Sequence, residues 1–332
     1  MNNATTENEF TGKATLPLEA TKPTRKAIVI AGPTASGKSA LALGLAQAFD
    51  GTIINADSMQ VYEVLRILTA RPTAEDEALA PHRLYGFLSP RESCSAGRWQ
   101  SLAKLAAEEA WAAGRLPIIV GGTGLYLRSL TEGLSPIPDI PEEIRAAARA
   151  ELTELGNEAF HARLATQDPE MAARLRPSDS QRIARAWEVL QATGRSLALW
   201  QQEPAQGGLA ADFFAVVIAP ARERLYAGCD SRFQSMIDQG ALAEVAALLQ
   251  LELDPALPAA KALGVAELSA FLRGRITLDE AIRRAQQSTR NYAKRQLTWI
   301  NGQIIAQKYI NTQFSESMSE ENFSLIRQFL LT

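Results

Sequence analysis

The sequence predicts an α/β protein: a parallel sheet flanked by helices and interrupted by an all-helical inserted domain. Three observations carry this. Short apolar runs of strand length alternate with helical stretches through the N-terminal part of the chain. A proline-rich stretch, Ser135-Pro-Ile-Pro-Asp-Ile-Pro141, then opens a segment whose signals are all helical. A strand-like run, Phe213-Phe-Ala-Val-Val-Ile218, returns after it, as an insertion between strands of one sheet requires.

The first strand is Ala27-Ile-Val-Ile-Ala31, an unbroken apolar run of the kind buried on both faces of a parallel sheet. Gly32-Pro-Thr-Ala-Ser-Gly-Lys-Ser39 follows, and residues 40–49 read as a helix. The pattern G-x-x-x-x-G-K-[ST] between a strand and a helix is a P-loop, so the core is of the P-loop NTPase-like kind. Residues Gly32, Pro33, Thr34, Ala35, Ser36, Gly37, Lys38 and Ser39 are the candidate phosphate cradle. Backbone N–H groups converge there at a helix N-terminus. Lys38 adds a point charge, and the Ser39 hydroxyl is a candidate ligand for Mg²⁺.

Residues 52–55 form a second strand, and Asp57 lies just beyond its end. A helix over 97–113 ends at Gly114, a C-cap signal, before the buried strand Leu116-Pro-Ile-Ile-Val120. Gly121-Gly-Thr-Gly124 follows at once, and 125–130 is helical. Carboxyl ends of parallel strands share one edge, so Asp57 and the Thr123 turn fall beside Lys38. Asp57 could hold Mg²⁺ or act as a general base. The glycines let a substrate approach the backbone, and the Thr123 hydroxyl can hold a polar group.

Pro141-Glu-Glu opens a helix that Gly156 closes. Ser178-Asp-Ser-Gln181 has capping-box spacing and opens another, ended by Gly194. After Pro220 the chain is helical again. Thr277-Leu-Asp-Glu280 caps a long helix reaching to about Trp299. On it Arg283, Gln287, Arg290 and Lys294 share one face, a candidate phosphate or pyrophosphate wall. Residues 1–25 read as a disordered polar tail, 315–322 as another polar stretch, and 323–331 as a short docked helix. The expected division is 26–138 with 205–310 for the catalytic core, 139–204 for the insertion, and 311–332 for the C-terminal tail and helix.

Composition narrows the class. The chain has 332 residues, 46% of them hydrophobic, enough for a large core plus a second small one. The net charge of −3 gives no global field for nucleic acid, but 171–200 and 271–300 are locally basic, the footprint of a placed anionic partner. Cys94 and Cys229 lack metal or redox spacing, which fits a reducing cytoplasm. No apolar run has the length of a membrane span. Nothing marks an obligate interface, so a monomer is expected.

Several motifs occur in one order: the P-loop, Asp57-Ser-Met-Gln-Val-Tyr62, Thr69-Ala-Arg-Pro-Thr73, Pro81-His-Arg83, Gly121-Gly-Thr-Gly-Leu-Tyr126, Asp179-Ser-Gln-Arg-Ile-Ala-Arg185 and Ala293-Lys-Arg-Gln-Leu-Thr-Trp299. Together they resemble the bacterial tRNA dimethylallyltransferases over residues 26–303. The resemblance implies transfer of the dimethylallyl group of dimethylallyl diphosphate to N6 of adenosine 37. The acceptors are tRNAs reading codons that begin with U, and the products are N6-dimethylallyladenosine and pyrophosphate. It implies that Thr34 to Ser39 hold the diphosphate, with Lys38 and Arg232, and that Ser39 orders Mg²⁺. Asp57 would take the proton from N6. Ser58, Met59 and Gln60 would line the adenine pocket, and Thr123 would touch the acceptor nucleotide. Arg145, Gln181, Arg182, Ile183, Ala184, Arg185 and the stretch around Gly264-Val265 would contact the anticodon stem-loop. Read from residues alone, a small-molecule P-loop kinase using ATP stays as the alternative, with Asp57 as base. That alternative leaves the helical insertion and the basic C-terminal helix without a role. A guanine-nucleotide switch is disfavoured, since no Asn-Lys-x-Asp run occurs.

Overall fold

A computed structural model describes residues 25–312 and 319–332, the side chains of 319–322 excepted. The expected N-terminal tail, Arg25 apart, and residues 315–318 of the polar stretch lie outside the described residues, and 319–322 belong to the last helix. Arg25 itself pairs with Glu108 and lies over the Trp111 ring.

The core opens with β1 (Lys26–Ala31), α1 (Lys38–Ala48) and β2 (Gly51–Asn55). Next come α2 (Ala74–Leu79), held by a reciprocal capping box between Thr73 and Asp76, and the two-residue β3 (His82–Arg83). α3 (Ala96–Ala112), β4 (Leu116–Gly121) and α4 (Gly124–Thr131) complete the N-terminal part. After the insertion β7 (Asp212–Ile218) returns to the sheet, and β8 (Lys308–Ile310) closes it. The strand order is β3-β2-β4-β1-β7-β8, and its registered pairs are all parallel. β1 sits between β4 and β7 with Ala31 opposite both Gly121 and Val217, so the P-loop leaves the middle of the carboxyl edge. The two edge strands, β3 and β8, are too short and polar to stand out in the sequence.

The helical block hangs from a two-stranded antiparallel neck, β5 (Gly133–Leu134) with β6 (Gln206–Gly207). Between these lie α5 (Glu142–Gln167), α6 (Pro169–Ala173), α7 (Ser180–Thr193) and α8 (Leu197–Trp200). Phe160, Leu164, Ile183 and Trp187 form its own apolar centre, which draws only on residues 137–200. Two local expectations are corrected. Gly156 kinks α5 at φ 75° and the helix resumes beyond it, so it marks a bend and not an end. The Ser178–Gln181 box does not form: α7 begins at Ser180 with Asp179 as N-cap and no side-chain cap.

The C-terminal part packs α9 (Arg222–Asp238), α10 (Ala241–Leu249) and α11 (Val265–Leu272) around α12 (Leu278–Gln303). Thr277 caps α12 by accepting from the Glu280 N–H at 3.2 Å. α13 (Ser319–Leu331) lies on α1, where Phe323 meets Phe49 edge-on at 5.8 Å and Ile326 is fully buried. Lys26 Nζ donates to the Phe329 and Leu330 carbonyls at 2.8 and 3.1 Å, satisfying the end of that helix. Among the described residues no helix is long and apolar enough to cross a membrane.

Candidate active site

The P-loop turns through two left-handed residues, Ala35 at φ 62° and Gly37 at φ 91°. A side chain on Gly32 would come within 2.7 Å of Ser36 Oγ and 2.9 Å of the Ile218 carbonyl, so the loop closes tightly on β7. Ser36 is fully buried, and among the described residues its Oγ has no hydrogen-bond partner. A phosphate oxygen in the loop would supply one. Lys38 folds back to donate to the Pro33 carbonyl at 3.3 Å. Burial pulls its ammonium down to about 8, with Asp57 opposing the shift.

Asp57 leaves β2 held on both sides. Its N–H donates to Asn55 Oδ1 at 2.8 Å, and its Oδ1 accepts from the Met59 N–H at 2.9 Å. Asn55 Nδ2 donates to the Asp57 and Leu84 carbonyls, both at 3.0 Å. Trp99 Nε1 donates to the Asn55 carbonyl at 2.9 Å and stacks on Tyr126 at 4.5 Å. These contacts hold the carboxylate in one orientation. Thr123 Oγ1 accepts from the Ser58 N–H at 2.9 Å and bonds Ser58 Oγ at 3.3 Å. Gln60 faces the other way: its Nε2 donates to the Thr69 and Ala70 carbonyls at 2.8 and 3.0 Å. It therefore shapes the cavity wall by holding the next loop.

Arg232 reaches from α9 to donate to Thr34 Oγ1 at 3.3 Å. From α12, Gln296 accepts from the Thr34 N–H at 2.9 Å and donates to the Gly122 carbonyl at 3.1 Å. Tyr292 engages Thr123 and Gln296, and burial followed by the Asp57 charge pushes its phenol well up. Neither Tyr292 nor Gln296 was singled out from sequence, although the run 293–299 contains Gln296.

Two cavities flank the loop. The outer one, about 750 Å³, is lined by Gly37, Lys38, Ser39, Arg224 and Arg232 among others. The inner one, about 280 Å³, holds Asp57, Ser58 and Thr34 opposite apolar Met59, Leu68, Phe233 and Met236. Arg232 lines both. Glu244 fixes the wall that carries Leu68 by accepting from the Ile67 and Leu68 N–H groups, each at 2.9 Å. Cys229, buried beneath the loop, has its thiol pushed up to about 11 by that burial, with Arg232 pulling the other way.

Several expected roles change. The turn glycines make room for protein and not for substrate. A Cβ on Gly121, Gly122 or Gly124 would lie 2.1 Å from Ala56 O, Gln296 Nε2 or Trp299, respectively. The α12 face of Arg283, Gln287, Arg290 and Lys294 is not the phosphate wall. Arg290 is tied to Asp230 and Arg283 to Glu280, while Thr289, Tyr292 and Arg295 line the inner cavity. Ile183 and Ala184 point into the insertion's core at 0% and 8% exposure, so their side chains hold the bundle together and are not presented to a partner. Gln181 and Arg182 are exposed, and Arg185 is half-buried against Glu188. Val265 is buried, and Gly264 packs on Phe233, so that stretch also serves the core. Arg145 is half-buried with a partnerless, buried Nε among the described residues. None of the insertion residues lines either cavity.

A resident ion finds few protein ligands here. Among the described residues no three His, Cys, Asp or Glu side chains cluster as a metal site. The exposed Ser39 hydroxyl beside the outer cavity suits Mg²⁺, which keeps most of its water and leans on substrate phosphates.

Sequence and structure comparisons match this chain to known proteins. Residues 60–303 match the IPP transferase family model, and residues 25–92 match an isopentenyl transferase model. The tRNA dimethylallyltransferase of Paramagnetospirillum magneticum is 57% identical over 312 residues, covering 94% of this chain and 99% of that protein. That of Parvibaculum lavamentivorans is 53% identical, covering 94% and 99%. Crystal structures of a eukaryotic dimethylallyltransferase acting on tRNA superpose with TM-score 0.76 at 29% identity, covering 92% of this chain and 80% of that one. The tRNA isopentenylpyrophosphate transferase of Bacillus halodurans gives TM-score 0.64 at 30% identity, covering 93% and 96%.

Proposed function

With the premise that this chain belongs to the IPP transferase family, we propose that it is a tRNA dimethylallyltransferase, moving the dimethylallyl group of dimethylallyl diphosphate onto N6 of adenosine 37. One observation carries the reading beyond the family name. The phosphate loop opens on one side to a cationic cavity and on the other to a cavity that adds the Asp57 carboxylate and an apolar wall to the cations Arg232, Lys261 and Arg295. A diphosphate ester of a five-carbon hydrocarbon has that division of chemistry. A nucleoside triphosphate and a small alcohol, the kinase alternative, do not.

The steps follow from the residues. Loop amides, Lys38 and Arg232 bind the diphosphate and stabilise the charge it gathers as the allylic C–O bond breaks. Bound Mg²⁺, held by Ser39 and the phosphates, would neutralise part of the pyrophosphate charge. An exocyclic adenine amine is a weak nucleophile because its lone pair is delocalised into the ring, so the carbon must carry cationic character when N6 bonds to it. Asp57, held by Asn55 and Met59, accepts the N6 proton. Ser58, held from behind by Thr123, lines the inner cavity, and Met59 forms part of its apolar side. The target base enters unstacked, since the chemistry lies inside a cavity. The insertion, taken as 139–204, grips the anticodon stem-loop through Arg145, Gln181, Arg182 and Arg185. The chain works as a cytoplasmic monomer.

The test uses radiolabelled dimethylallyl diphosphate, Mg²⁺ and unmodified tRNA reading codons that begin with U. Label passes to tRNA and pyrophosphate is released. Asp57→Asn lowers kcat by about a hundredfold or more and leaves tRNA affinity within a few-fold. Absence of label on tRNA, with ATP consumed on a small alcohol, would overturn the reading in favour of the kinase.

A further inference from the structure

Gln296 withdraws one amide from the phosphate loop, and we propose that this makes it the residue that limits the loop to two phosphates. The inference rests on the leaving-group reading above. Phosphate recognition in such a loop depends on backbone N–H groups aimed at the anion. Starting at the helix and moving back along the loop, Ser39, Lys38, Gly37 and Ala35 line the outer cavity. At Thr34 the lining passes to the inner cavity.

At that boundary the donors run out for two reasons. Pro33 has no N–H. The Thr34 N–H is already bonded to Gln296 Oε1 at 2.9 Å. Gln296 cannot swing away cheaply. It is 5% exposed, its Nε2 donates to the Gly122 carbonyl at 3.1 Å, and Gly122 has no room for even a Cβ on that side. Arg232 holds Thr34 from the other direction through Oγ1. A third phosphate running past Thr34 would therefore find no amide. It would lie beside the Asp57 carboxylate and the apolar Met59, Leu68 and Phe233, with the side-chain cations Arg232, Lys261 and Arg295 of that cavity in place of loop amides. Two phosphates followed by a carbon chain keep their charge where the loop amides, Lys38 and Arg232 lie and set the chain against Met59, Leu68 and Phe233. Gln296 acts on specificity through the Thr34 amide and need not touch substrate.

The experiment measures the affinities of inorganic pyrophosphate and inorganic tripolyphosphate for the full chain by calorimetry. The readout is their ratio, which a general loosening of the site would not move. Gln296→Met keeps the volume and removes the acceptor. It should shift the ratio toward tripolyphosphate by about tenfold, the worth of one amide hydrogen bond to a charged oxygen. Gln296→Asn, too short to reach the amide, should shift it in the same direction. It serves alone if the Met variant does not fold. Gln296→Glu still accepts from Thr34 and should keep the discrimination against tripolyphosphate. A ratio within twofold of the parent in a folded Met or Asn variant overturns the proposal, as does a Glu variant that matches Met. Transfer to tRNA is scored separately. Failed prenylation by the parent protein would strike the proposed function and leave the phosphate-count result readable by itself.

Discussion

Lys38 gives the site a titration that can be worked out from its surroundings. Burial lowers the ammonium from 10.5 to about 8. A bound diphosphate brings negative charge against it and raises its pKa again in the complex. Binding above about pH 8 therefore takes up a proton, and affinity falls as pH rises through that window. At pH 7 the free protein carries this charge in roughly nine molecules of ten, and at pH 9 in roughly one of ten, so pyrophosphate affinity drops about tenfold from pH 7 to 9. Lys38→Arg is the reference, because a guanidinium stays charged throughout. The ligand's own titration cancels in the ratio of the two dissociation constants. Calorimetry from about pH 6 to about pH 10 should give a ratio that is flat below 8 and rises above it with a slope near one. A ratio flat across the whole range would refute burial as the cause. The same shift has the opposite sense for stability. The folded-state value lies below the unfolded one, so the charged amine is a cost that is present in full below pH 8 and relieved as pH rises toward 10.5. That cost is on the order of 3 kcal/mol, an upper figure because the head group still borders the open cavity. Lys38→Met should therefore raise the melting temperature of the ligand-free protein at neutral pH while weakening pyrophosphate binding.

Four further outcomes are expected. Ile183→Ala, in the insertion core at 0% exposure, should cost about 3 kcal/mol in urea unfolding. Its exposed neighbour Arg182→Ala should leave stability within about 0.5 kcal/mol yet weaken tRNA binding and lower its salt slope by about one. Gly264→Ala should cost about 1–3 kcal/mol, because the residue holds φ +89° and a Cβ there would lie 2.9 Å from the Phe233 ring. The displaced ring should also raise KM for the allylic diphosphate in a steady-state assay. Chelating Mg²⁺ with EDTA should suppress transfer while tRNA retention on a filter persists, as the proposed role of the ion at the leaving group requires.

Much of the architecture was readable because its signals are local. The strand runs at 27–31 and 116–120, the P-loop between strand and helix, and the Thr277 cap each depend on a few adjacent residues. Asp57 and Thr123 followed from one topological rule about strand ends, and they lie together through Ser58. The misreadings came where distant segments decide. Ser178 had the right spacing for a cap, but the chain enters α7 one residue later. Ile183 and Ala184 sat within a motif, yet the packing of Phe160 and Trp187 turns them inward. β3 and β8 exist only because longer strands offer them an open edge.

By itself the sequence established the α/β fold class, a P-loop between strand and helix, a helical insertion and a family, since glycine positions, caps and apolar runs act over a few residues. It left undecided which side of the basic α12 helix meets the loop. Charge favoured the arginine face, but α9 takes that face through Asp230 and leaves Tyr292 and Gln296 pointing at Thr123 and Thr34. A helix's rotation about its axis is set by every surface packed against it, and only the assembled tertiary structure carries that sum.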